Sequence, residues 1–240
     1  MTGPAGDAAL RLLEHGALTL RGRIVSASNA SFLGTVRDGD VSATCVYKPV
    51  RGERPLDDFP DGTLWKRERA AYLVSAASGW DIVPPTVTRE DGPFGAGIAQ
   101  LWIDVDEDAD VWRMVNEPDE RLRRIALFDA AVNNADRKGG HLLPAPGGHV
   151  YGVDHGICFA AEPKLRTILW DWRGEPILPG ELDVLRSLRA KLDGPLREAL
   201  ERLLSAAELR ALNARIDRLI RSKVFPQPDP YRMAVPWPPF

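Results

Sequence analysis

Apolar and polar residues follow a strand-like pattern through much of the first hundred positions and a helical period after that. Residues 8–15 predict a short helix, with Asp7 as N-cap and Gly16 as stop. Residues 18–25 and 32–37 predict two strands joined by the small polar stretch from Ser26 to Ser31. A third strand at 41–50 follows the turn residues Asp38-Gly39-Asp40, so the opening predicts an antiparallel meander. Residues 51–62 read as a loop. A helical period over 63–77 closes at Ser78-Gly79, and strands are expected at 86–89 and 97–103. Beyond residue 104 the pattern predicts mostly helix: 120–132, with Leu122, Ile125, Ala126 and Leu127 as its apolar stripe, then 195–204 and 206–223. Short strand-like runs at 149–153 and 157–159 surround Asp154-His155-Gly156. Ser205 and Glu208 have capping-box spacing at the start of the last helix. Six prolines in residues 225–240 rule out regular structure there.

The expected organisation is therefore α+β in two lobes. A small β-rich lobe spans 1–103, a helical lobe 104–224, and a proline-rich tail 225–240 that is expected to lie extended and to offer itself to a partner.

Composition narrows the function classes. Hydrophobic residues at 44% and charged residues at 27% of 240 suit a folded domain and exclude a largely disordered chain. A net charge of −3 lacks the basic excess of a nucleic-acid binder, so no nucleic-acid partner is expected. No apolar run has the length of a membrane span, and Met1 to Asp7 has no basic region leading into an apolar core. Two cysteines, Cys45 and Cys158, cannot frame a disulfide scaffold. A cytoplasmic protein is the expectation.

Three places carry charge that ordinary patterning does not explain. Lys48 falls late in an apolar strand, sharing a side with Val46 and Thr44. It is either an edge residue reaching water or a cation held for an anionic ligand. Leu64, Glu68, Ala71 and Ser75 share one face of the following helix, so Glu68 is a carboxylate on a small and apolar face. If that face is buried, Glu68 needs a cation. Finally, the helix at 120–132 runs into Asn133-Asn134-Ala135-Asp136-Arg137-Lys138-Gly139-Gly140-His141, and Asp154 follows thirteen residues later at a strand end. Strand-end carboxylates beside glycine suit hard cations.

Asp136-Arg137-Lys138-Gly139-Gly140-His141 followed by Val153-Asp154-His155-Gly156 resembles the catalytic and metal-binding motifs of the phosphatidylinositol 3- and 4-kinase-like superfamily. That group is similar to protein kinases and includes the HipA-type kinases; the chain resembles an actinobacterial branch of it. The resemblance covers roughly residues 18–175. It implies a two-lobed protein-kinase-like fold and an ATP-dependent phosphotransferase. Asp136 would be the catalytic aspartate, and His141 and Asp154 the metal-binding residues. Lys48 would meet the nucleotide phosphates, held by Glu68. Ser28, Asn29 and Ser31 would lie in the loop over the phosphates, and Gln100, Leu101 and Trp102 would form the hinge that receives adenine. Asp129 and Asn134 resemble positions that brace the catalytic loop.

The pattern departs from the superfamily in two respects. No Gly-x-Gly-x-x-Gly is present, and His141 puts nitrogen where oxygen is usual. The cofactors implied are ATP with Mg²⁺ or Mn²⁺, and imidazole favours Mn²⁺. In 157–177, Lys164, Arg166 and Arg173 balance Glu162, Asp171 and Glu175. A polyanionic inositol head group would call for more positive charge, so the expected acceptor is a protein or small-molecule hydroxyl. Adenylyl transfer stays open. Two other classes compete: a catalytically weak ATP-binding pseudokinase, and a metallohydrolase using His141, His149, His155 and Asp154.

Overall fold

The computed structural model describes residues 6–25, 29–117 and 119–240. Helix α1 (Gly6–His15) leads into strands β1 (Ala17–Arg23), β2 (Phe32–Asp38) and β3 (Val41–Pro49). Helix α2 (Leu64–Ser78) then precedes β4 (Thr86–Gly92) and β5 (Gly95–Leu101). The five strands form one antiparallel sheet in the order β1-β2-β3-β5-β4. β5 thus inserts between β3 and β4 and pairs Lys48 with Ile98. It can approach so closely because residue 97 is glycine: a Cβ there would collide with the carbonyl of Lys48. One face of the sheet is covered by α1, whose Leu12 and Leu13 pack with Val36, Cys45, Val87 and Ala99.

Helix α2 has no side-chain cap of its own. The carboxylate of Glu53, from the preceding loop, accepts hydrogen bonds from the backbone N–H groups of Leu64 (3.1 Å) and Trp65 (2.7 Å). Capping from a distance ties that loop to the start of the helix that carries Glu68.

The second half is mainly helical: α3 (Val111–Asn116), α4 (Glu120–Val132), α5 (Pro179–Lys191), α6 (Pro195–Glu201) and α7 (Ala206–Ser222), with a small hairpin of β6 (Leu142–Pro144) and β7 (Val150–Gly152). Among the described residues the architecture is α+β, with seven helices and a five-stranded sheet. The largest core spans α2, α4, α5 and α7, so Ala70, Ala71 and Val74 of α2 pack in the same cluster as Ile125, Leu185 and Ile216. This shared core fixes α2 relative to the helical half. Arg67 reinforces it: its guanidinium donates to Glu208 Oε1 (2.5 Å) at the start of α7 and to the Cys158 carbonyl (2.9 Å).

The structure corrects the sequence-based expectation in several places. Residues 157–159 are not a strand; Phe159 N–H donates to the Val132 carbonyl (2.7 Å) at the end of α4 with φ +67°. Their apolar run is explained by burial against a helix end. Helix α5 and strand β6 lie outside the expected elements. α5 carries its own signals, Pro179 in the first turn, Glu181 accepting from Leu178 N–H (2.8 Å), and Leu182, Leu185 and Leu188 on one buried face. Its flanking prolines, Pro176 and Pro179, give the stretch the look of a loop. Among the described residues no helix is long and apolar enough to cross a membrane.

Candidate active site

Sheet and helices bring three separated charges together. Lys48 Nζ, from β3, donates to Glu68 Oε1 (2.5 Å), from α2, and to Asp154 Oδ1 (3.2 Å), beyond β7. The Glu68 side chain is 3% exposed and that of Asp154 is 52% exposed, so one carboxylate is structural and the other faces outward. Glu68 Oε2 accepts the His155 N–H (3.1 Å), which ties α2 directly to the residue after Asp154. Burial lowers the affinity of Lys48 for its proton, but Glu68 and Asp154 outweigh it and hold the amine firmly charged. Asp154 is held well below the usual carboxylate range by Lys48, against the opposing effect of burial. Burial pushes Glu68 upward even with Lys48 beside it. The cluster is one cation between two acids, and the acid that is open to the cleft is the more firmly ionised.

Asp154 has φ +61°, a left-handed conformation that aspartate tolerates better than most residues. This turns the chain sharply after β7 and allows Asp154 to face Lys48 while the next residue enters the core.

Behind the cluster lies a sealed network. Arg137 is fully buried and makes two hydrogen bonds to Asp129, Nε to Oδ2 (2.8 Å) and Nη2 to Oδ1 (2.9 Å). Its Nη1 donates to the carbonyls of Val153 (3.0 Å) and His141 (3.3 Å), the two residues that flank the hairpin carrying the metal motif. Asn134 donates to Asp129 (2.9 Å), and its Oδ1 accepts the Asp136 N–H (3.0 Å). Arg137 Nη2 also lies 2.6 Å from His155 Nε2. A guanidinium can only donate, so Nε2 accepts and the imidazole proton sits on Nδ1. Burial and the adjacent Arg137 keep His155 neutral. Arg137 and His155 thus frame the loop from Asn134 to His141, a structural role the sequence pattern did not assign them. The signal was an arginine directly after the candidate catalytic aspartate, at helix-end distance from Asp129.

The remaining candidates are placed as follows. Asp136 is partly buried, with Oδ2 3.3 Å from Lys138 Nζ. His141 Nε2 is 3.4 Å from Asp154 Oδ2. Its Nδ1 faces the Lys138 N–H at 3.4 Å, and desolvation lowers its pKa. Asn29 Oδ1 accepts the Arg54 N–H (2.9 Å), tying its loop to the one at 51–62, and Ser31 is buried with its hydroxyl toward the Asn29 carbonyl (3.5 Å). Ser28 lies outside the described residues. Gln100 is buried and donates to Thr86 Oγ1 (2.8 Å), while the backbone N–H groups of Leu101 and Trp102 reach the carbonyls of Pro85 (2.8 Å) and Thr44 (3.0 Å). What this strand end leaves open is the indole of Trp102, 41% exposed.

The three clustered histidines do not converge. His155 is spent on Arg137, and His149 lies at the surface, 2.9 Å from the Asp81 carbonyl and edge-on to Tyr151. Among the described residues no group of three His, Cys, Asp or Glu side chains could hold a metal ion. This geometry gives no support to the metallohydrolase reading. His141 and Asp154 remain as a pair of one nitrogen and one oxygen donor, a set that would suit Mn²⁺ better than Mg²⁺, with phosphates and water as the other ligands.

The tail closes the site from one side. Ala234 accepts from Thr167 N–H (3.0 Å) and Trp170 Nε1 (3.0 Å), and the Pro239 carbonyl accepts the Gly139 N–H (2.8 Å). The Phe240 ring lies where a Cβ on Gly139 would be. The end of the chain is therefore seated on the loop between Asp136 and His141.

A β-rich lobe and a helical lobe with a Lys–Glu pair and an outward aspartate at their junction define a kinase-like two-lobed fold. Solved structures agree. The Golgi casein kinase matches with a TM-score of 0.58 at 14% identity, over 89% of this chain and 74% of that one. The hydra Fam20 structure with sugar matches with 0.57 at 15% identity, over 90% and 88%. The Helicobacter pylori proinflammatory kinase CtkA matches with 0.52 at 12%, over 89% and 94%. No protein-family model matches the chain. Protein Rv2133c of Mycobacterium tuberculosis is 46% identical, over 95% of this chain and 94% of its own length, and the chain belongs to the family of that protein.

Proposed function

We propose that the chain is an ATP-dependent phosphotransferase that uses Mg²⁺ or Mn²⁺ and acts on a hydroxyl of a protein or small molecule. The observation that carries this reading is the convergence of Lys48, Glu68 and Asp154 at the junction of the lobes, with Asp136 on the adjoining loop. Phosphoryl transfer asks for positioned charge more than covalent chemistry. Lys48, oriented by Glu68, neutralises phosphate oxygens. Asp136 accepts the proton of the acceptor hydroxyl. Asp154 and His141 would hold the metal ion, which when bound offsets phosphate charge. Trp102 offers a face to the base. The neutral balance of charge over 157–177 favours a protein or small-molecule acceptor over a phosphoinositide. Two free, buried thiols suit a reducing cytoplasm.

The test is intact-mass analysis after incubation with ATP and either Mn²⁺ or Mg²⁺, alone and with candidate hydroxyl acceptors. Gain of a phosphate by the chain or an acceptor, lost by at least about a hundredfold in Asp136→Ala with nucleotide binding retained, is the expected result. Gain of AMP would instead indicate adenylyl transfer. A second reading, a nucleotide-binding pseudokinase, draws support from His141. With Nδ1 turned to the Lys138 N–H, its ring proton sits on Nε2 toward Asp154. Nucleotide binding without turnover in the unmodified chain would favour that reading.

A further inference from the structure

A cavity of about 510 Å³ opens between α7 and the C-terminal tail. Its wall on α7 is one helical face: Ala211, Ala214, Arg215, Arg218 and Leu219, at spacings of three and four. The alanines leave the space, and the arginines line it. The opposite walls come from residues 163–166 with Trp170, and from the tail at Gln227, Arg232 and Met233. No residue of the Lys48–Glu68–Asp154 cluster contributes.

The lining is strongly unbalanced in charge, with five cationic side chains against two acidic ones. Lys164 is taken by Asp58 (2.5 Å), and Arg232 by Asp229 (3.7 Å). Arg166, Arg215 and Arg218 have no carboxylate partner among the described residues. Arg215 is fixed in place by hydrogen bonds from Nε to the Ala131 carbonyl (2.9 Å) and from Nη1 to the Ala160 carbonyl (3.1 Å). Its Nη2 is buried with no partner at all. Burial without a counter-charge pulls its pKa down to about 10. Arg215 therefore adds fixed positive charge behind the cavity wall rather than an accessible donor. Arg166 is likewise oriented, donating from Nε to the Ala135 carbonyl (2.7 Å).

We propose that this cavity binds a small organic phosphate, with the phosphate on the guanidinium groups of Arg166 and Arg218, beside the fixed charge of Arg215, and the organic part against Trp170 and Met233. Planar guanidinium forks match phosphate geometry, and three unpaired cations match its charge better than that of a single carboxylate. The volume suits a ligand larger than phosphate alone.

The test uses the full chain and two probes, phenyl phosphate and inorganic phosphate, by calorimetry at fixed ionic strength. Phenyl phosphate should bind saturably and more tightly than inorganic phosphate. Arg218→Ala, on the exposed side of the cavity, should weaken it by at least about tenfold while far-ultraviolet circular dichroism and melting stay close to the parent. Lys48→Ala should leave the binding unchanged. Absence of saturable binding, equal affinity in Arg218→Ala, or loss of binding in Lys48→Ala with an unchanged melting temperature would each overturn the proposal, the last because the probe would then lie at the Lys48–Glu68–Asp154 cluster. None of these outcomes depends on whether the chain transfers phosphate.

Discussion

Two charged clusters a few residues apart are built from the same kinds of side chain and behave as opposites. Arg137, Asp129, Asn134 and His155 are all buried, and the charged pair is fully matched: two hydrogen bonds join Arg137 to Asp129, and its remaining donors go to carbonyls and a neutral imidazole. Lys48, Glu68 and Asp154 keep one side open, with Asp154 half exposed. The sealed cluster keeps only the buried His155 Nδ1 without a partner and is closed to a ligand by burial, so it serves as frame. The open one combines charge with access, which is what a phosphate and its cation require. Charge alone does not mark a site; charge with an unfilled side does.

The comparison can be broken most severely at Arg137. Arg137→Ala leaves Asp129 buried without its cation and should cost about 3–5 kcal/mol in urea unfolding. A loss below about 1 kcal/mol would mean the network is not the frame. At the open cluster the balance reverses: Asp154→Asn should change stability by no more than about 1 kcal/mol. It should, however, remove the Mn²⁺-dependent part of nucleotide affinity, measured by titration with and without chelator. Gly139→Ala should displace Phe240 from the catalytic loop. The expected signs are faster removal of residues 239–240 by carboxypeptidase and a stability change under about 1 kcal/mol, because one backbone hydrogen bond and one half-exposed ring hold that stretch on the loop.

The smallest effect belongs to a pair with an exposed partner. Lys164 holds the half-exposed Asp58 below its ordinary pKa. The folded pKa is depressed, so the stabilisation is present above the unfolded carboxylate value and fades as pH falls below it. The difference in stability between the parent and Lys164→Ala should therefore be under about 1 kcal/mol at pH 7 and shrink as pH drops from about 5 to 3.

Sequence patterning read the fold well where one face of an element is buried. The helix at 120–132 has its expected bounds, and β2 and β3 differ from theirs by one residue at one end. Helix α2 shows the expected face, with Leu64, Glu68, Ala71 and Ser75 all buried. α5 was missed because its prolines masked a clear leucine stripe, and residues 157–159 were misread because burial against a helix end leaves the same apolar signature as a strand.

The sequence by itself determined which side chains carry charge and which face of each helix or strand they occupy, because period and composition are local properties. That much was enough to single out Lys48, Glu68, Asp136 and Asp154. Only the tertiary structure decided which charges become partners. Lys48 and Asp154 are 106 positions apart and meet because β5 seats beside β3 and α2 shares its core with α4. The same packing sent Arg137 and His155 into the interior, turned His149 to the surface, and brought the last residue of the tail onto Gly139. Burial and long-range contact set the cost of leaving a charge unpaired, and no local pattern contains that information.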